Sequence, residues 1–483
     1  MTSLKTQTLA GLKWSSLSQF GRQGMQLLTT IILARLLSPT DFGLVAMAMV
    51  VIGFVNIFND LGLSAAVIQQ KNPSSALLHS IFWVNVAFGT LVMLILFLSA
   101  TWIGHFYQEP QVIPLLQILS LTFVISGLST LPQALLQRQL AFQQLAKLEI
   151  GATLFASGVG ISLAVTGHGA LSLVYQTLAG AALTTLLLWN ASHWRPQWIF
   201  DWAAVKMVSR YSLNLTGYSI FNYFIRNADN LLIGRYLGAQ ELGYYNLAYR
   251  ILLYPLATIS GVIGRVMFPT YAQIQEDDAR FRRAYLQVAS SIALITFPMM
   301  LGFIVLAEPF ILTMFGTQWS PVILLVMILA PLGLVQSIGT TVGAIYLAKG
   351  RTDWMFKWGI GTGILAMTAF VIGLHWGIIG VAVAYAILSL FILAYPNFAI
   401  PFKLINLRVN ELWLVIRLPL LSSLLMALTM RGLQFILPAE MSTGWELVIL
   451  VPVGCVTYLL YSFLVNQAQL LEVYTILKGE SKL

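Results

Sequence analysis

Two stretches of this sequence set polar side chains at matching positions in otherwise apolar surroundings. The first offers Gln19, Arg22, Gln26, Thr29 and Thr30, and the second, 200 residues on, offers Ser219, Asn222, Arg226, Asp229 and Asn230. Gln19, Arg22, Gln26 and Thr29 are spaced 3, 4 and 3 apart, which keeps them on one face of a helix. Every pair is polar on both sides, although the arginine falls one turn later in the second stretch. Arg250 adds a third cation within apolar sequence. A guanidinium presents a rigid fork of N–H donors that matches phosphate oxygens bidentately, so Arg22, Arg226 and Arg250 point to an anionic, phosphate-bearing ligand. Gln19, Gln26, Asn222 and Asn230 belong to the same wet faces and are binding candidates with them. Asp60 and Asp229 are read as the clear carboxylates of the apolar stretches, and so as the groups available for ion coupling. A cation-extruding pump would be expected to carry more such acids.

Each of these positions also has a structural reading. Arg22 and Arg250 lie about eight residues, or roughly 12 Å, from the ends of their apolar stretches, so snorkelling would be strained. Arg226 and Asp229 are three apart, a spacing at which they can neutralise each other. Asn56, Asn59 and Asp60 could serve helix–helix hydrogen bonding alone. The remaining chemistry is sparse. His79, His105, His168, His193 and His375 are scattered without metal-ligand spacing, so no metal is expected. The single cysteine, Cys455, excludes an internal disulfide. No Walker pattern is present, and no cofactor is expected.

The elements that must hold these residues follow from composition. Of 483 residues, 58% are apolar and 9% charged, against roughly 25% charged in a soluble domain. Spans of about 20 residues are predicted at 14–36, 42–68, 77–104, 112–134, 148–166, 168–190, 208–236, 242–270, 284–306, 319–347, 354–375, 377–399, 411–432 and 444–466. Backbone polar groups in lipid need internal partners, so these are helices. The fold class is therefore an all-α polytopic membrane protein with about 14 transmembrane helices. The net charge of +9 would suggest nucleic acid in a soluble chain. Here 18 of the 26 basic residues fall in loops on one side, among them Arg138, Lys147, Arg280, Arg282, Arg283, Lys349 and Arg351. The opposite loops hold Asp41, Glu109, Glu241, Glu308 and Glu440. This asymmetry puts both termini in the cytoplasm and removes nucleic acid as a partner. No loop exceeds roughly 20 residues, so an outer catalytic domain is missing and an enzyme is not expected.

The two polar stretches belong to a longer repeat. At an offset of 200, Arg35 meets Arg235, Leu37 meets Leu237, Asp41 meets Glu241, Gly43 meets Gly243 and Ala48 meets Ala248. At an offset of 210, Lys147 meets Lys357, Gly151 meets Gly361, Gly167 meets Gly377 and Tyr175 meets Tyr385. Six spans separate the copies, so the copies run in the same direction. This predicts an N-terminal lobe over 1–200, a C-terminal lobe over 201–400, and an added helix pair with a tail over 401–483. Two lobes suggest a transporter with its site between them.

Certain stretches resemble a known family. LQRQLAFQQLAKLEI at 136–150 and DNLLIGRYLGAQELGYYNLAYRILLYP at 229–255 are similar to the connector after span four and the span seven–eight hairpin of Wzx-type polysaccharide exporters. FGTQW at 315–319 and AKGRTDW at 348–354 resemble later landmarks. The chain is thereby similar to the multidrug/oligosaccharidyl-lipid/polysaccharide flippase superfamily, in the branch of lipopolysaccharide and colanic-acid-type biosynthesis proteins. The resemblance implies a V-shaped, two-lobed transporter in the bacterial cytoplasmic membrane. It would move an undecaprenyl-diphosphate-linked oligosaccharide, such as an O-antigen, capsule or exopolysaccharide repeat unit, to the outer leaflet by alternating access. Its partners would be that lipid, the bilayer, and polysaccharide polymerase or assembly proteins. Related lipid II flippases carry cavity cations on spans one and eight, the spans of Arg22 and Arg250. Other readings stay open at this point. They are an ion-coupled small-molecule or multidrug antiporter of the same fold, a membrane enzyme acting on the same lipid, and a non-transporting polysaccharide-assembly protein.

Overall fold

The computed structural model describes residues 4–59, 67, 73–202, 213–438 and 440–467. Among the described residues the chain is helical and contains no strand, as an apolar sequence that must satisfy its backbone internally requires. It is a multi-pass, all-α membrane protein. The first half comprises α1 (Leu4–Leu36), α2 (Pro39–Asn59), α3 (Ser75–Tyr107), α4 (Val112–Arg138), α5 (Phe142–Val165), α6 (Leu171–Ser192) and α7 (Leu213–Tyr236). There follow α8 (Ala239–Gln273), α9 (Asp278–Met314), α10 (Pro321–Gly339), α11 (Val342–Ala348), α12 (Thr352–Gly373) and α13 (Gly377–Ile387). The chain continues with α14 (Ala394–Phe402), α15 (Val409–Ile436) and α16 (Thr443–Val465).

Ten stretches among the described residues are helical, long and apolar enough to cross a membrane. One of them, Thr352–Ile405, contains both predicted spans 354–375 and 377–399. The predicted spans at 14–36, 208–236 and 242–270 fall on α1, α7 and α8, which are 33, 24 and 35 residues long. At 1.5 Å per residue even α7 reaches about 36 Å, beyond the roughly 30 Å of hydrocarbon.

Local sequence sets where these helices begin and end. Ser38 and Asp41 cap α2 reciprocally: Ser38 N–H and Oγ donate to Asp41 Oδ2 at 2.9 and 2.6 Å, while Asp41 N–H donates to Ser38 Oγ at 3.2 Å. Ser74 Oγ accepts from Leu77 N–H at 3.2 Å to start α3. Asp277 Oδ1 accepts from Arg280 N–H at 2.9 Å to start α9.

Contacts group the chain into two compact units, Met1–Gly243 and Tyr244–Leu483, a division inside α8. In the first unit α3 packs on α4, α4 on α6, α6 on α5, and α5 on α1, while α2 packs on α4 and α7. In the second, α9 is the central helix, flanked by α10, α15 and α16. Its Thr296 donates to Ser337 Oγ of α10 at 3.0 Å inside the core.

One crossing in the first unit explains why the repeat preserves a glycine. A Cβ added at Gly43 would sit 1.6 Å from the Ala239 carbonyl oxygen, and one at Gly243 would sit 2.0 Å from the Pro39 carbonyl oxygen. Pro39 and Ala239, like Gly43 and Gly243, are equivalent at the offset of 200. The contact is thus reciprocal, with each helix laying its bare backbone on the other's first turn. It draws the start of α8 into the first unit.

Candidate functional site

The polar stripe of α1 divides into two parts. Thr29 and Thr30 are buried, and Thr29 Oγ1 donates to Ser157 Oγ of α5 at 2.8 Å. Thr30 Oγ1 donates back to the Gln26 carbonyl at 2.7 Å. These threonines join helices or close their own turns. Gln26 is exposed, and Gln19 is half-buried and engaged by its surroundings.

Arg22 lies between the two parts, in the middle of α1. Its Nη1 pairs with Glu149 Oε2 of α5 at 3.3 Å, with the two side chains 39% and 25% exposed. The same carboxylate oxygen accepts from Ser18 Oγ, one turn earlier on α1, at 3.1 Å. Arg22 Nε is buried and has no hydrogen-bond partner. Glu149 is the functional candidate that sequence reasoning missed, since only Asp60 and Asp229 were read as intramembrane acids. A signal was present: Glu149 is the sole acid of an otherwise apolar helix, but it sits two residues after Lys147 and reads as the edge of a basic connector.

On α7 the Arg226–Asp229 ion pair that their spacing allows is not formed. Arg226 is exposed and makes no ion pair among the described residues, whereas Asp229 is 5% exposed. Asp229 Oδ1 instead accepts from Asn230 N–H at 2.7 Å. Three residues span nearly one turn, but burial shows that these two side chains leave the helix toward different surroundings. Asn222 and Asn230 are half-buried, and Asn230 Oδ1 has no hydrogen-bond partner. Next to them, Tyr223 donates to the Val50 carbonyl of α2 at 2.7 Å and fixes α7 against α2. Arg250, in the second unit, is exposed and engaged by its surroundings. Asp60, and the side chains of Asn59 and Ser219, lie outside the described residues.

The histidines behave as scattered structural groups where contacts are visible. His79 Nδ1 accepts from Gln197 N–H at 3.0 Å, and its ring stacks on Trp194. Trp83 Nε1 donates to the Gln197 carbonyl at 2.9 Å and stacks on Trp198 at 4.0 Å. Together they pin the segment after α6 to the start of α3. Among the described residues no cluster of His, Cys, Asp or Glu could hold a metal ion.

Charges that sequence reasoning assigned to orientation also do structural work. In the second unit Lys349 Nζ donates to Asp278 Oδ1 at 2.7 Å and to the Gln275 carbonyl. Asn406 Nδ2 donates to Asp278 Oδ2 at 2.7 Å, and Arg282 Nη1 donates to the Asn406 carbonyl at 2.8 Å. This network ties the polar start of α9 to the loops that follow α11 and α14.

Guanidinium groups and side-chain amides are, by their chemistry, suited to binding an oxyanion. Comparison with known proteins gives this a context. The profile of the family described as polysaccharide biosynthesis protein matches residues 32–324. The lipopolysaccharide biosynthesis protein WzxC of Escherichia coli (strain K12) is 32% identical over 404 residues, covering 82% of each chain. The teichuronic acid biosynthesis protein TuaB of Bacillus subtilis (strain 168) is 30% identical over 468 residues, covering 95% of this chain and 96% of its own. Among solved structures, the lipid II flippase MurJ in an inward closed conformation has a TM-score of 0.73 at 16% identity, covering 93% of this chain and 98% of its own. The chain belongs to the polysaccharide biosynthesis protein family.

Proposed function

We propose that this protein flips an undecaprenyl-diphosphate-linked oligosaccharide from the cytoplasmic to the outer leaflet of a bacterial cytoplasmic membrane by alternating access. Both termini are cytoplasmic in this reading, as the loop charges indicate. Arg22, Arg226 and Arg250 are the headgroup ligands, with Gln19, Gln26, Asn222 and Asn230 contributing hydrogen bonds to the diphosphate or the sugars. Asp60 and Asp229 are the candidates for ion coupling.

The observation that carries this reading is Arg226. It is exposed near the middle of α7 and is held by no carboxylate among the described residues. A guanidinium at mid-span costs roughly 2.5–3.5 kcal/mol on the insertion scale. A position that a membrane helix keeps at that cost is one where water or an anion compensates it. The names of WzxC and TuaB, both of polysaccharide biosynthesis, support a glycan cargo. A diphosphate diester carries about two negative charges, and an inside-negative potential favours their outward movement by roughly 4–5 kcal/mol per 100 mV if uncompensated. The potential alone could therefore drive transport.

The cellular test is polysaccharide export by Arg226→Ala and by the Arg22→Ala, Arg250→Ala double variant. Export should be lost at unchanged protein level, with lipid-linked glycan accumulating inside. Normal export by these variants would remove the cations from the site.

A further inference from the structure

The first unit carries an apolar crevice that the proposed transport does not use. It measures about 250 Å³ and lies among α2, α3 and α7, walled by Val51, Phe54, Trp102, Phe106, Phe224 and Leu231. Tyr223 and Leu231, both on its α7 wall, are eight residues apart. The crevice therefore runs about 12 Å along the helix, most of the depth of one leaflet. Its polar groups are spent or enclosed. Tyr223 donates to the Val50 carbonyl, Asn227 Nδ2 donates to the Tyr223 carbonyl at 2.9 Å, and the Tyr107 hydroxyl is buried. A sugar would lose its hydrogen bonds there, whereas a hydrocarbon chain has none to lose. Trp102 and Phe224 are exposed, so the crevice opens toward lipid.

The mouth of the crevice carries charges of both signs. Arg235, in the last turn of α7, holds its guanidinium 5.7 Å from the ring centre of Phe106, a wall residue, and 5.7 Å from that of Tyr236. Aromatic rings hold a guanidinium without neutralising it, and its five N–H donors can serve more than one acceptor. The exposed Tyr236 marks the interfacial level at which lipid headgroups sit. Half-buried Glu109 borders the same helix end, with its Oε1 3.9 Å from the place that a Cβ on Gly238 would take. Glu109 makes no ion pair among the described residues.

We propose that this crevice is a binding site for an aminophospholipid. One acyl chain lies between α2, α3 and α7, the phosphate meets Arg235, and the ammonium turns to Glu109. Charge selects this occupant. A zwitterionic headgroup matches a guanidinium and a carboxylate at once, whereas an anionic phospholipid leaves the carboxylate facing a negative group. A polyprenyl diphosphate likewise brings no positive charge to Glu109. The bound lipid braces α7, the helix of Arg226, against α2 and α3. This end of α7 faces away from the termini, which is the outer leaflet in the topology proposed above.

The test is binding to the purified full-length protein in detergent, read by native mass spectrometry. The probes are phosphatidylethanolamine and phosphatidylglycerol with the same chains. Wild type should prefer phosphatidylethanolamine. Glu109→Gln should shrink that preference about threefold, the size of a partly exposed ion pair. Val51→Trp, which fills the crevice, should lower retention of both lipids about tenfold, as for roughly two methylenes left unburied. Because added bulk can also disturb packing, the wild-type site is mapped separately with a phosphatidylethanolamine that carries a diazirine in mid-chain. Adducts should concentrate on Phe54, Trp102 and Phe224, and a farnesyl-diphosphate-linked hexose should not displace them. Adducts spread evenly over other lipid-facing helices, such as α15 and α16, would overturn the site. An unchanged preference in Glu109→Gln would overturn the choice of lipid, and displacement by the diphosphate would give the crevice to the cargo instead. None of these results bears on Arg22, Arg226 and Arg250 as headgroup ligands.

Discussion

Replacing Gly43 with alanine should loosen the first unit in a way that can be sized from its backbone. The new Cβ would lie 1.6 Å from the Ala239 carbonyl oxygen, where ordinary contact begins near 3.4 Å. The start of α8 must therefore retreat by about 1.8 Å, because a carbonyl within a helix cannot rotate away. Overpacking of this kind costs about 1–3 kcal/mol. For a unit of this size, each kcal/mol corresponds to roughly 2–4 °C of melting temperature. Gly151 supplies the control. It lies inside α5 with nothing within 4 Å of an added Cβ, so Gly151→Ala should be neutral or stabilise by up to about 1 kcal/mol through helix propensity. Gly243→Ala should resemble Gly43→Ala, and because one separation of the helices relieves both clashes, the double variant should lose less than the two single losses combined. The assay is thermal unfolding in detergent followed by tryptophan fluorescence. A Gly43→Ala protein that melts with wild type, or one indistinguishable from Gly151→Ala, would refute the contact.

Other outcomes follow from the same geometry. Arg226→Ala should abolish export yet change stability by less than about 0.5 kcal/mol, since Arg226 is exposed and pairs with no acid among the described residues; a large melting shift would mean that it has a structural partner. Arg22→Ala should lower the melting temperature by stranding Glu149, and adding Glu149→Gln should recover part of the loss, measured as a double-mutant cycle. His79→Ala should free the segment pinned through Gln197 and Trp194 and speed chymotryptic cleavage after Trp198; an unchanged cleavage rate would show that the pin is dispensable.

The architecture was legible because lipid leaves few choices. A continuous apolar run must become a helix, and basic loops alternate with poorer ones, so predicted spans and helices coincide to within a few residues at most sites. Gly43 and Gly243, equivalent at the offset of 200, meet in a backbone-to-backbone crossing that any side chain would block. The ion pairing was not legible. Arg226 and Asp229 look like partners along one helix, but whether such a pair closes depends on which neighbours each side chain meets. Glu149 and Arg22 are 127 residues apart, and only the packing of α5 on α1 brings them together. Thr29 likewise sits in the polar stripe by spacing, yet it turns to Ser157 and serves packing rather than a ligand.

The central claim is transport of a lipid-linked oligosaccharide, and its most direct test is flipping by the purified protein in liposomes. An undecaprenyl-diphosphate-linked oligosaccharide with a fluorescent sugar would be placed in both leaflets, and its exposure read by access of an impermeant quencher or glycosidase. The account predicts protein-dependent movement that an inside-negative potential accelerates in the outward direction and that Arg226→Ala stops. Exposure no faster than in protein-free liposomes, with or without the potential, would contradict it.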